Sequence, residues 1–148
     1  MKLGRVLFIA TMLISTLLGG CIGGYSDVDF AKGTLSGLAK GSIAVQHSID
    51  WPVFKALGED VGMNYAKYTT EQGKSYYRKA FIANFSMAFQ AGGGKLEDFT
   101  NWRLHGKDDK TAVVAADKRG TDKIAYFTIA KEGKRRLISI QWGTRGNE

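Results

Sequence analysis

Residues 122–142, with the sequence DKIAYFTIAKEGKRRLISIQW, contain two strand-like segments separated by a short polar turn. Apolar and polar side chains alternate in both segments, at Phe127, Thr128 and Ile129 and again at Ile138, Ser139 and Ile140. A period of two is typical of a β-strand with two different faces. The turn between the segments is polar and carries a glycine, as hairpins require. We therefore predict an antiparallel pair of strands here.

The same pattern extends upstream of this pair. Strand-like segments occupy about residues 97–104, 110–117, 122–131 and 135–142. Short, polar connections, each with a glycine, join them in order. Four strands joined by such turns predict an antiparallel meander.

A long helix is predicted before the strands, from about Lys74 to Gln90. Its aromatic residues recur at every fourth position: Tyr77, Phe81, Phe85 and Phe89. A stripe of this spacing is typical of a buried helix face. The three glycines at 92–94 would end the helix, because glycine accepts the left-handed turn that a helix terminus needs. We expect the stripe to pack on the apolar face of the meander.

The segment before this helix is rich in glycine. A helix capped by Asp29 is predicted to run to about Ser48. Three glycines recur at every fourth position on it and form one strip: Gly33, Gly37 and Gly41. Each interior glycine costs a helix about 1 kcal/mol relative to alanine. We therefore expect close packing on this strip, either within the molecule or between two copies. Two shorter helices are predicted, at about 50–57 and 61–68.

Helices followed by a run of strands indicate an α+β domain. This element order resembles the cystatin-like and nuclear-transport-factor-2-like cone folds over about residues 50–142. Members of these superfamilies include enzymes, binding proteins and dimerisation modules. The resemblance therefore implies a fold and leaves the function open.

The N-terminus has the features of a secretory signal. Lys2 and Arg5 supply positive charge, and an apolar run follows from residue 6 to residue 18. Small residues come next, as at a cleavage site. The apolar run is much shorter than the approximately 20 residues that a transmembrane helix needs.

Leu18-Gly19-Gly20-Cys21 resembles the lipobox of bacterial lipoproteins. The resemblance implies cleavage between Gly20 and Cys21, diacylglycerol on the Cys21 sulfur, and often an acyl chain such as palmitate on the new amino group. Two or more acyl chains anchor a protein stably to a membrane. Cys21 is the only cysteine of the chain, which excludes an internal disulfide. In a Gram-negative cell, Ile22 in place of aspartate implies the outer membrane, facing the periplasm.

These features divide the chain into three parts. Residues 1–20 are predicted to be the signal peptide, 21–28 a lipidated linker, and 29–148 a single globular domain. The linker is short, so the domain is expected to lie close to its membrane.

The sequence offers little catalytic chemistry. Its two histidines, His47 and His105, have no metal-ligand spacing, and no cofactor motif is present. Ser42 and His47 are five residues apart, which would direct them to different faces of a helix. His105 lies close to Asp108 and Asp109, yet a histidine near a polar hairpin is usually a surface residue. We expect no metal, no cofactor and a non-enzymatic role.

Basic residues concentrate near the predicted hairpin turns. Without residues 1–20 the chain keeps 19 cations, since two of its 21 lie there, against 14 acids. Alternate turns of a meander share an end, so the 104–110 and 131–135 turns would lie together. We predict a candidate anion patch of Lys131, Lys134, Arg135 and Arg136. The alternative is that these charges protect the hairpins against edge-to-edge aggregation. Nucleic acid is not expected as a partner of an exported protein.

Two functions follow as hypotheses. The first is a membrane-anchored, non-enzymatic lipoprotein that binds a protein or an anionic envelope polymer, with a homo-oligomer through the glycine strip as one option. The second is a small-ligand-binding or enzymatic cone-fold domain. Its cavity would be lined by five aromatic residues: Trp51, Tyr65, Tyr68, Trp102 and Trp142.

Overall fold

The computed structural model describes residues 25–146, so the signal segment and Cys21 lie outside the described residues. Four helical segments precede the main strands: α1 (Asp27–Ala39), a 3₁₀ helix (Ile43–Ser48), α2 (Val61–Ala66) and α3 (Glu71–Ala91). A further 3₁₀ turn spans Leu96–Asp98. The strands are β1 (Lys55–Ala56), β2 (Glu59–Asp60), β3 (Phe99–Lys107), β4 (Thr111–Lys118), β5 (Lys123–Ala130) and β6 (Arg136–Thr144).

The strands form one mixed sheet in the order β2-β1-β6-β5-β4-β3. The antiparallel meander β3-β4-β5-β6 confirms the sequence prediction. The predicted total of four strands is wrong, because the sheet has six. The short strand β1 pairs in parallel with β6, with Lys55 opposite Ser139, and β2 pairs antiparallel with β1. Strands of two residues are too short to show a period of two, so the sequence pattern missed them.

The predicted helix from Asp29 to Ser48 is also wrong. The cap lies three residues earlier, at Ser26, whose hydroxyl accepts from the amide of Asp29. The Asp29 carboxylate accepts in return from the amide of Ser26, which completes a capping box. The helix ends at Ala39, because Gly41 adopts a left-handed conformation with φ of 67°. A separate 3₁₀ helix then follows. Helix α1 therefore begins at Asp27, within the range 21–28 that the sequence analysis assigned to the linker.

Residues 50–57 form a turn and a strand where the sequence predicted a short helix. Leu57 takes a positive φ of 52°, which closes the β1–β2 hairpin, and its amide donates to the carbonyl of Ile140 at 2.9 Å. The two other helices agree better with the prediction. Helix α3 begins slightly before Lys74, because the hydroxyl of Thr70 accepts from the amide of Gly73.

The core lies between the meander and helices α1 and α3. Phe54, Phe127 and Leu137 are fully buried in it. The aromatic stripe of α3 packs against this core with its rings in contact along the helix. Within residues 25–146 every buried side-chain nitrogen and oxygen has a hydrogen-bond partner. The hydroxyl of Ser86, for example, donates to the carbonyl of Ala39 at 2.8 Å. This bond joins α3 to the end of α1.

Among residues 25–146, no helix combines the length and apolar character needed to cross a membrane.

Candidate anion-binding surface

The β3–β4 and β5–β6 turns lie at the same end of the sheet, as predicted. The amide of Lys131 donates to the carbonyl of Lys110 at 2.8 Å, and its ammonium group donates to the carbonyl of Asp108 at 2.9 Å. Two cation-bearing turns are therefore held together. Acids accompany them, since Glu132 lies 3.9 Å from the ammonium of Lys110.

The N-terminus of α1 joins the same end of the sheet. The guanidinium of Arg135 donates to the carboxylate of Asp27 at 2.7 Å. The two residues are 108 positions apart in the sequence, so no local pattern indicated this contact. The ion pair ties the first helical turn to the basic β5–β6 turn. The chain therefore enters the domain beside the predicted anion patch.

A groove of about 830 Å³ lies between α1 and the β5–β6 turn. Three residues of the predicted patch line it, together with residues of α1 and the following loop: Lys131, Lys134 and Arg135, and Tyr25, Phe30, Gly33, Thr34, Gly37, Ser42 and Val45. The fourth patch residue, Arg136, faces a neighbouring depression. We call this space the basic groove. No aspartate or glutamate lines it among the described residues.

The predicted glycine strip is only partly present. Gly33 and Gly37 lie on α1 and line the basic groove, whereas Gly41 has left the helix. A methyl group at Gly37 would come within 2.9 Å of Val45, so this glycine allows the 3₁₀ helix to pack closely on α1. At Gly33 the near neighbour is the hydroxyl of Tyr25, an exposed side chain. Gly37 thus serves internal packing, and the contact between copies stays a prediction.

A second depression, of about 350 Å³, lies on the other side of Lys134. Arg136, Arg78 and Trp51 line it as well. Arg78 is held in place by three hydrogen bonds: to Gln46 at 3.1 Å, to Tyr65 at 3.0 Å and to Glu71 at 2.6 Å. The bond to the Glu71 carboxylate raises the pKa of Arg78 above its ordinary value. Sequence analysis missed Arg78, because on its own it is one more cation on a helix.

The five candidate cavity aromatics do not surround one space. Trp51 packs on Tyr65 with ring centroids 6.0 Å apart, and Tyr68 joins this cluster through Tyr77. Trp102 and Trp142 form a second group. Both contact the ring of Phe99, at 6.3 and 6.1 Å between centroids. Trp51 and Tyr65 are buried in the core, Tyr68 and Trp102 are half-buried, and Trp142 is exposed.

A small apolar cavity of about 190 Å³ lies between the C-terminal part of α3 and the sheet. Of the five aromatics, only Trp142 lines it. Its other walls are mainly apolar, with one cation: Leu35, Leu57, Phe85, Phe89, Phe99, Ile140 and Lys118. The cavity is smaller than the approximately 300 Å³ usual for ligand sites.

The two histidines lie in different parts of the domain. His105 lies against Tyr126 with ring centroids 5.1 Å apart, and His47 borders the Arg78 depression. No group of three or more histidine, cysteine or acidic side chains within residues 25–146 is placed to hold a metal ion.

No protein-family model matches the chain, and a search of curated proteins also found no match. A comparison with solved structures found an NTF-2-like protein of unknown function from Silicibacter pomeroyi DSS-3. The two are 18% identical, and the match covers 78% of this chain and 90% of that chain with a TM-score of 0.43. The low identity and score mean that nothing about this chain's activity follows from the similarity.

Proposed function

We propose that this protein is a lipid-anchored envelope lipoprotein that binds an anionic envelope component through its basic groove, without catalysis. The observation that carries the proposal is the position of the groove at the point where the chain enters the domain. Tyr25, the first described residue, lines the groove together with Lys131 and Lys134. The predicted lipid-bearing residue is four positions earlier.

Chain length supports a membrane-facing groove. Four residues extend over at most about 14 Å. If Cys21 carries acyl chains, Tyr25 lies within that distance of the bilayer surface. The Arg135–Asp27 ion pair then keeps the basic turn on the same side. Anionic headgroups in that leaflet are the nearest anionic component of the envelope.

The charge pattern predicts a moderate, salt-dependent interaction. Lys134 has no ion pair within residues 25–146 and is exposed, while Arg135 is already paired with Asp27. A lysine near an anionic membrane contributes about 1 kcal/mol, and the attraction decays over about one Debye length. The Lys131 ammonium also donates to the carbonyl of Asp108, so Lys134 is the more available of the two lysines. The two lysines favour orientation and local concentration, and the acyl chains supply most of the affinity.

A vesicle-binding experiment tests this proposal. Unlipidated residues 22–148 are sedimented with neutral phosphatidylcholine vesicles or with vesicles that also contain phosphatidylglycerol. We expect binding to the anionic vesicles alone, with a loss as salt is raised. The double variant Lys131→Glu, Lys134→Glu should bind at least tenfold more weakly, because reversing two charges removes about 1 kcal/mol for each lysine and adds repulsion.

The matched control reverses two exposed cations at the opposite end of the sheet, Arg119→Glu with Lys123→Glu. It makes the same change in net charge and should bind nearly as the parent does. Equal losses in the two double variants would contradict a specific groove. Absence of binding to anionic vesicles would contradict the proposal itself.

A second candidate function rests on the apolar cavity beside α3. Its walls suit a small apolar group. Its volume of about 190 Å³ limits the ligand to a few carbon atoms unless the side chains of the walls move apart. Native mass spectrometry of gently purified protein would show a ligand as added mass. A bare protein mass would count against this candidate.

A further inference from the structure

The depression next to the basic groove combines cations with a rigid floor. It lies between the segment 46–51, the first half of α3 and the start of β6. Arg78, Lys134 and Arg136 line it, and no acidic side chain does so among the described residues. Trp51, which is buried, forms part of the floor. Three cations therefore face one space of about 350 Å³.

Arg78 is oriented before any ligand arrives. Its three hydrogen bonds to Gln46, Tyr65 and Glu71 fix the guanidinium plane, and its side chain is only 16% exposed. A guanidinium has five N–H donors. Three are used in these bonds, one on each nitrogen, so one N–H on each terminal nitrogen is left for a ligand. A fixed guanidinium loses little conformational entropy when it binds an anion.

The two other cations are held less firmly. Arg136 and Lys134 are exposed, and neither has an ion pair within residues 25–146. They stand at the start of β6 and in the turn before it, so both can move towards an anion placed on Arg78. A planar guanidinium with two free N–H groups matches two oxygens of a phosphate, and flexible cations complete the charge.

We propose that this depression is a phosphate-binding site, distinct from the membrane contact of the basic groove, which takes a phosphomonoester or diphosphate group. Arg78 is the rigid donor, and Arg136 and Lys134 neutralise the remaining charge. A compact dianion fits three convergent cations better than a singly charged phosphodiester. The group can belong to a soluble molecule or to a lipid headgroup, since both present the same oxygens.

Isothermal titration calorimetry of the mature, lipid-bearing protein in a neutral detergent tests the site. The probes are inorganic diphosphate and the short-chain lipid dihexanoyl phosphatidic acid. We expect saturable binding of at least one of them. Arg136→Gln should weaken it about tenfold, which corresponds to about 1.4 kcal/mol. Arg78→Lys keeps the charge and removes the planar fork, so it should also weaken binding while thermal unfolding shows that the domain is folded.

The control is Lys123→Gln, which removes one exposed cation at the far end of β5. It should leave the affinity unchanged. Binding of diphosphate indicates a soluble ligand, and binding of the lipid alone indicates a headgroup. The proposal is overturned if neither probe binds saturably, or if Lys123→Gln weakens binding as much as Arg136→Gln does. No vesicle is present, so this result is independent of the vesicle test of the basic groove.

Discussion

Two glycines on α1 allow a matched test of how the domain is packed. Gly33 and Gly37 lie one helical turn apart, and alanine at either position gains about 1 kcal/mol in helix propensity. At Gly37 the new methyl group would lie 2.9 Å from the Cβ and Cγ2 atoms of Val45. Val45 is buried, so it has little room to move. Overpacking of this kind costs about 1–3 kcal/mol.

The outcome at Gly33 should be the opposite. There the methyl group would approach the hydroxyl of Tyr25 at 2.6 Å, but Tyr25 is 58% exposed and can swing away. Gly33→Ala should therefore keep most of the propensity gain. In Gly37→Ala the propensity gain offsets part of the overpacking cost, so its free energy of unfolding should fall by about 0–2 kcal/mol. The two variants should differ in free energy of unfolding by about 1–3 kcal/mol.

Urea denaturation of the two variants under identical conditions measures this difference. Adding Val45→Ala to each variant separates steric conflict from other effects. It removes the Cγ2 contact and keeps the Cβ contact, so it should relieve the Gly37→Ala protein in part and give no special benefit to Gly33→Ala. A double-mutant cycle detects this difference as a coupling energy. Equal stability of Gly33→Ala and Gly37→Ala would refute close packing of the 3₁₀ helix on α1.

Three further predictions concern other parts of the domain. Gly62→Ala should destabilise it by more than about 2 kcal/mol, because the added methyl group would collide with the carbonyl oxygen of Pro52 and the backbone must shift; thermal unfolding measures this loss. Phe127→Ala should cost about 3–5 kcal/mol in denaturant unfolding, because the ring is fully buried. Hydrogen bonds from the side chains of Arg103 and Asn101 hold the pKa of Asp117 below its ordinary value. The stabilisation by the Asp117 carboxylate is therefore present above the unfolded-state pKa and is lost as pH falls through the folded-state pKa. Asp117→Asn should therefore be less stable than the parent at pH 7, by an amount that shrinks in acid; equal differences at pH 7 and pH 2 would contradict this.

The local period of the sequence predicted the main elements well. The aromatic spacing on α3 and the alternation in β5 and β6 show which face of each element is buried, because apolar residues recur with the period of the helix or strand that buries them. The shared end of the 104–110 and 131–135 turns also followed, because alternate turns of a meander must lie together.

The errors have physical causes of their own. The helix predicted through Gly41 stops because that residue takes a left-handed conformation, and a glycine in the sequence is compatible with either outcome. The two short strands depend on pairing of β1 with β6, a contact between distant residues. The candidate site was predicted only in part, because some of its residues are also brought together from distant positions in the sequence. The cations of the β5–β6 turn are adjacent in sequence, whereas Arg78 and Asp27 reach that turn only in the folded chain.

Intact mass spectrometry of the protein extracted from membranes tests directly whether Cys21 carries the lipid anchor. We predict a chain that begins at Cys21 and carries the added mass of a diacylglycerol group, with or without a further acyl chain. A chain that keeps residues 1–20, or one that begins elsewhere without lipid, would contradict it.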